Sequence, residues 1–132
     1  PTAPFATRSF VGSSTKPAAK FMLPESSKLL LDIQQALQDI SRFTRGKDLV
    51  SYQADAMCRA AVERKFEIIG EACVRLRERF PETYEKLPDA PRIVGFRNRI
   101  IHGYDDVDDA IVWDVVTGKL PDLSAQVDLL LP

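Results

Sequence analysis

An all-α fold, an antiparallel up-and-down bundle of four main helices plus one or two short ones, is what the sequence predicts. Three observations predict it. Apolar residues recur at steps of three and four along most of the chain, Pro, Gly and Asp stand where such runs should start and stop, and every local signal is helical. The 132 residues, 45% hydrophobic and 28% charged, suffice for one soluble domain around a single core, and leave no room for a second.

Residues 1–21, PTAPFATRSFVGSSTKPAAKF, lack a sustained period and read as a flexible leader or an expression remnant ahead of Met22, so the domain is placed at 22–132. From Pro24 an amphipathic helix is expected to about Thr44, with Leu29, Ile33, Leu37, Ile40 and Phe43 on one face and Asp32, Gln35 and Asp39 outside. Gly46 should end it. After a connection from Gly46 to Ser51, a long helix should run from about Gln53 to Phe80, because Val62, Phe66, Ile69, Cys73, Leu76 and Phe80 alternate steps of four and three, a bundle seam. Pro81 stops that helix, and a short piece spans Glu82 to Leu87. Asp89 then serves as N-cap for the next helix, with Pro91 tolerated in its first turn. Further on, Asp108 caps a helix from about Asp109 to Thr117, Gly118 closes it, and Pro121 opens a last helix that buries Leu123, Val127 and Leu130. Trp113 is assigned to the core.

Net charge is −1, and residues 22–132 carry 15 basic against 19 acidic groups, which argues against a general nucleic-acid coat. Residues 59–99 differ, with 10 Lys or Arg against 7 Asp or Glu, so any RNA contact should be a confined patch. Cys58 and Cys73 fall on one expected helix about 22 Å apart, against a limit of roughly 7 Å between Cα atoms for a bridge, and are expected to be reduced core thiols. No apolar run approaches the roughly 18 residues of a membrane span and no secretory leader is recognisable, so a cytoplasmic location is expected. A glycine-rich phosphate loop and a zinc constellation are both missing, and the acids around residues 105–109 lack the spacing of a calcium loop.

One stretch stands apart. Arg97-Asn98-Arg99-Ile100-Ile101-His102-Gly103-Tyr104 gathers the only histidine with two arginines, an asparagine and a tyrosine. On a helical wheel centred on Arg97, Ile93 and Ile101 fall about 40° to either side and Val94 and Ile100 about 60° to either side. A guanidinium thus sits in the middle of an apolar stripe. Removing it from water costs several kcal/mol, so Arg97 should face a carboxylate, a polar cavity or a ligand phosphate. Asn98 and His102 share a flank at about 100° and 140°. Gly103 supplies the helix stop, placing His102 in the last turn and leaving Tyr104 accessible just beyond it.

The spacing of Arg97, His102 and Tyr104 resembles the signature of the HEPN superfamily, and more closely the HepT-type ribonuclease toxins paired with a minimal nucleotidyltransferase antitoxin. Two further segments carry the resemblance in the right order. Val62-Glu63-Arg64-Lys65-Phe66-Glu67-Ile68-Ile69-Gly70-Glu71-Ala72 is similar to that family's long second helix, and Ile111-Val112-Trp113-Asp114 with Leu120-Pro121-Asp122-Leu123 to its C-terminal pair. The likeness covers about residues 22–131.

The resemblance implies a homodimer whose catalytic helices meet in one cleft, a toxin of a type VII-like pair, and silencing by AMP transferred to Tyr104 by an MntA-like antitoxin. Cleavage of RNA by its own 2′-hydroxyl needs a base and an acid; this chain has one histidine, and a dimer supplies two. His102 would move the proton, while Arg97 would hold the phosphate and offset charge growing on its oxygens, with no metal or other cofactor required. Asn98 would bind phosphate or orient His102. Arg99, about 200° round from Arg97, would be a peripheral phosphate contact or a solvated charge. On the long helix Arg64, Glu67, Glu71, Arg75 and Glu78 read as a solvated, ion-paired face, the alternative being that Glu67 or Glu71 meets Arg97. The rival functional reading is a non-catalytic HEPN subunit that binds nucleotide or assists a partner nucleotidyltransferase.

Overall fold

The first helix, α1, runs Pro24–Thr44, and Gly46 at φ 76° turns the chain out of it through the left-handed region that glycine enters without a Cβ penalty. The computed structural model describes residues 24–102 and 107–132; the expected leader at 1–21 lies outside them. The connection that follows is itself partly helical, contrary to expectation. Asp48 and Ser51 exchange side-chain bonds with each other's backbone N–H groups, and this reciprocal cap starts α2, Leu49–Ala54. Asp55 then closes α2 and caps α3, Ala56–Arg79, by accepting from the Cys58 N–H, while its other oxygen takes the Lys47 ammonium at 3.0 Å. The remaining elements are α4 (Pro81–Tyr84), α5 (Ala90–His102), α6 (Asp109–Asp114) and α7 (Leu120–Leu130). As expected, Asp108 caps α6, accepting from the Ala110 N–H. No strand occurs among the described residues.

Four long helices make the bundle, with α3 packed between α1 and α5, and α1 between α3 and α7. α1 and α3 are antiparallel, because Arg79 at the end of α3 pairs with Glu25 at the start of α1 at 3.0 Å while the Cys58 Sγ lies 3.6 Å from the Phe43 carbonyl. Leu30, Ile33, Phe66, Ile69, Ile93 and Leu123 are sealed in one contiguous core. Each such side chain contributes about 1.5–3 kcal/mol. Both cysteines are free and buried, and burial pushes the Cys73 thiol up to about 12, leaving it an inert packing group. Among the described residues no helix is long and apolar enough to cross a membrane.

Two further expectations fail for identifiable reasons. Asp39 is not outside: it is 7% exposed, because α1 has neighbours on two flanks and its buried face is wider than one stripe. Lys65 of α3 meets it at 2.9 Å, and Arg42 and Gln35 each donate to it at 3.1 Å. Nor does Gly118 stop a helix. The chain passes from α6 through a π-helical turn, Val115–Lys119, directly into α7, with the Leu120 N–H bonded five residues back to the Val115 carbonyl. Pro121 explains the widening, since a proline has no N–H for the carbonyl four residues behind it and its ring crowds that group in an ordinary α-helix. Trp113 is only half-buried, its ring centroid 5.2 Å from that of fully buried Tyr52.

Candidate active site

α5 is fixed at its start by Asp89, whose carbonyl accepts the Ile93 N–H at 3.2 Å, as an N-cap residue should. Its carboxylate does a different job from the one expected of a cap: Oδ2 accepts from Gln126 Nε2 at 2.7 Å, tying α5 to α7. Ile93, Val94 and Ile100 are buried, and the Phe96 ring meets Phe66 edge-on with centroids 5.1 Å apart. The apolar stripe of the helical wheel therefore faces α3.

Arg97 enters that interface as the wheel requires, and Gly70 is what lets it in. A Cβ on Gly70 would lie 2.4 Å from Arg97 Cγ and 2.7 Å from Arg97 Cβ, at the root of the side chain where no rotamer can relieve the clash. Sequence reasoning passed over Gly70. The available signal was an isolated glycine inside a helix, which costs about 1 kcal/mol against alanine and so calls for a packing reason.

Beyond this notch the guanidinium is incompletely satisfied. Nη1 donates to Asn98 Oδ1 at 3.0 Å, but Nε is buried and makes no hydrogen bond among the described residues. Nor does any carboxylate of the described residues come within ion-pair distance of Arg97: Glu67 is engaged with Arg64 at 3.1 Å and Glu71 with Arg75 at 2.8 Å, each along α3 itself. The solvated, ion-paired face is thus what α3 presents, and the alternative pairing with Arg97 is not formed. Asn98 and Arg99 are exposed. His102 closes α5, its backbone about 7.5 Å along the axis from Arg97. The His102 side chain and all of Tyr104 lie outside the described residues.

The first turns of α3 carry a second charged group that the sequence did not reveal. Arg59 Nε lies 3.6 Å from Asp109, joining α3 to α6, and the carboxyl of half-buried Glu63 is raised above the usual carboxylate range by burial first and by Asp109 second. What the described residues assemble is a cation held in an apolar wall with donors to spare, an arrangement suited to an oxyanion of phosphate type.

Comparison with known proteins gives this arrangement a context. The family model described as Ribonuclease HepT-like matches residues 33–130, from the middle of α1 to the end of α7. A Methanocaldococcus jannaschii protein named "Putative RNase MJ1380" is 34% identical over 103 residues, covering 76% of this chain and 92% of that protein. A Thermococcus cleftensis protein named "Probable ribonuclease HepT" is 31% identical over 101 residues, covering 76% and 91% respectively. No solved structure matches significantly. Since the family model covers residues 33–130, from α1 through α7, the chain belongs to the HepT-like ribonuclease family.

Proposed function

We propose that the protein is a metal-independent endoribonuclease, the toxin of a toxin–antitoxin pair, working as a homodimer and silenced by adenylylation of Tyr104. Membership of a ribonuclease family supports RNA as the substrate. The observation that carries the finer reading is Arg97, a guanidinium seated in a helix interface without a carboxylate partner among the described residues and with a buried Nε unbonded. A structural arginine in that position would be paired; one kept for a transient anion would not be.

In the proposed reaction the 2′-oxygen of a ribose attacks its own phosphorus and the bond to the 5′-oxygen breaks. One His102 takes the 2′ proton and the His102 of the second copy gives a proton to the departing 5′-oxygen. Arg97 binds the non-bridging oxygens and stabilises the charge that grows on them, with Asn98 holding the guanidinium in orientation. Arg99, exposed on another face of α5, would contact flanking phosphates. AMP on Tyr104 would add a phosphodiester anion and a nucleoside beside the site, competing for Arg97 and repelling the RNA backbone.

Purified protein incubated with RNA in EDTA should yield 2′,3′-cyclic phosphate and 5′-hydroxyl ends, and a folded His102→Ala variant should not; cleavage lost in EDTA and restored by magnesium would overturn the mechanism. Co-expression with the partner nucleotidyltransferase should raise the intact mass by one or more AMP units, while Tyr104→Phe stays toxic and unmodified. Neutralisation of Tyr104→Phe by that partner would show that adenylylation of this tyrosine is not the control.

A further inference from the structure

The end of α1 and the run from α6 into α7 line a cleft of about 500 Å³. That size lies within the range of small-molecule sites, about 300–1,000 Å³. Its floor is apolar, with Leu37, Ile40, Val116 and Leu120, and one wall carries the half-buried Trp113 ring. Ser41, Thr117 and Ser124 add hydroxyls. The π turn, Val115–Lys119, forms part of this wall and contributes Val116 and Thr117 to the lining. Such wide turns recur at functional positions.

The charge of the lining is one-sided. Arg45 and Lys47 stand on it, and no Asp or Glu of the described residues does. Lys47 is committed to Asp55 at 3.0 Å, but the exposed Arg45 side chain is in no ion pair or hydrogen bond among the described residues. A flat apolar body would lie against Trp113 and exclude water from the floor, and one negative group would reach Arg45 at the rim. A neutral apolar molecule would leave that cation unused, and a cation would be repelled. We propose that this cleft binds a small amphipathic anion, with its flat apolar part on Trp113 and its charged group on Arg45. No residue of α3 or α5 lines the cleft, so this ligand is distinct from the phosphate proposed at Arg97, and the proposal stands whether or not the chain cuts RNA.

Trp113 is the only tryptophan, so its emission reports directly on the cleft. The full chain titrated with the fluorescent anion anilinonaphthalene sulfonate should show Trp113 quenching matched by sensitised dye emission. Arg45→Gln should weaken the anion about tenfold, the equivalent of one charge-assisted contact, and leave the uncharged phenylnaphthylamine unaffected. Ser41→Leu, a change at an exposed lining position, should block both dyes by filling the cleft. Dye emission without Trp113 quenching would place binding elsewhere and overturn the proposal. So would equal affinity of the anion for wild type and Arg45→Gln.

Discussion

Among the described residues, the α1–α3 and α3–α5 interfaces each take a charged group out of solvent, wholly or in part, and they treat it in opposite ways. Between α1 and α3, Asp39 is surrounded by Lys65, Arg42 and Gln35, and its charge is answered from three directions. Between α3 and α5, Arg97 is pushed through a notch at Gly70, and the acids nearest to it along α3, Glu67 and Glu71, are turned to Arg64 and Arg75. The first interface spends its polar groups on holding two helices in register. The second keeps donors in reserve. On the proposed function, the difference separates a charge that serves the fold from one kept for a ligand.

The largest test of that contrast is Arg97→Met, which keeps an unbranched stem in the notch and removes the guanidinium. RNA cleavage should fall about a thousandfold, the loss of a group that stabilises transition-state charge. The melting temperature should stay equal or rise, because a buried Nε without a hydrogen bond goes with it. A steep drop in melting temperature would mean that Arg97 is a structural charge like Asp39. Gly70→Ala comes next. Its methyl cannot coexist with the root of Arg97, so the guanidinium must shift, and a displacement of about 1 Å should cost about ten- to a hundredfold in cleavage. Unchanged cleavage by this variant would remove the notch from the account.

Asp39→Asn should have the smallest effect on cleavage and a clear one on stability. The Lys65 hydrogen bond, ahead of the opposing effect of burial, holds the Asp39 carboxyl below its ordinary 3.8. The folded group therefore titrates lower than the unfolded one, so its pairing stabilises the protein above about pH 4 and fades as the pH falls through the lower folded value. Melting curves from about pH 5 down to pH 2 should show a smaller acid loss for Asp39→Asn than for wild type, from a lower starting point. Parallel curves would show that Asp39 is not the group that distinguishes this interface.

Much of the bundle was legible because single helices announce themselves by period. α1 ended at Thr44 with Gly46 beyond it, and Asp108 capped α6, since each of these follows from a residue and its near neighbours. Features set by a second element were harder to read. Nothing local says that Asp39 will find Lys65, because that depends on how α1 is flanked. α2 was missed although Asp48 and Ser51 stand at cap spacing, since serine is not the usual residue to complete a reciprocal cap. Gly118 and Pro121 suggested a break, and only the surrounding packing turns that break into a π turn. At the site, the place of Arg97 in an apolar stripe was readable from a wheel; the glycine that admits it lies on another helix and was not.

That dependence reaches beyond one molecule. A side chain at position 70 and a long one at position 97 exclude each other, so the two positions form a joint choice that any relative with this backbone also faces. A lineage that fills the notch gives up the placed guanidinium, whatever becomes of its histidine. On the proposed mechanism such a relative would keep the bundle and lose the chemistry, and a bulky residue at position 70 would mark it as silent before any assay was run.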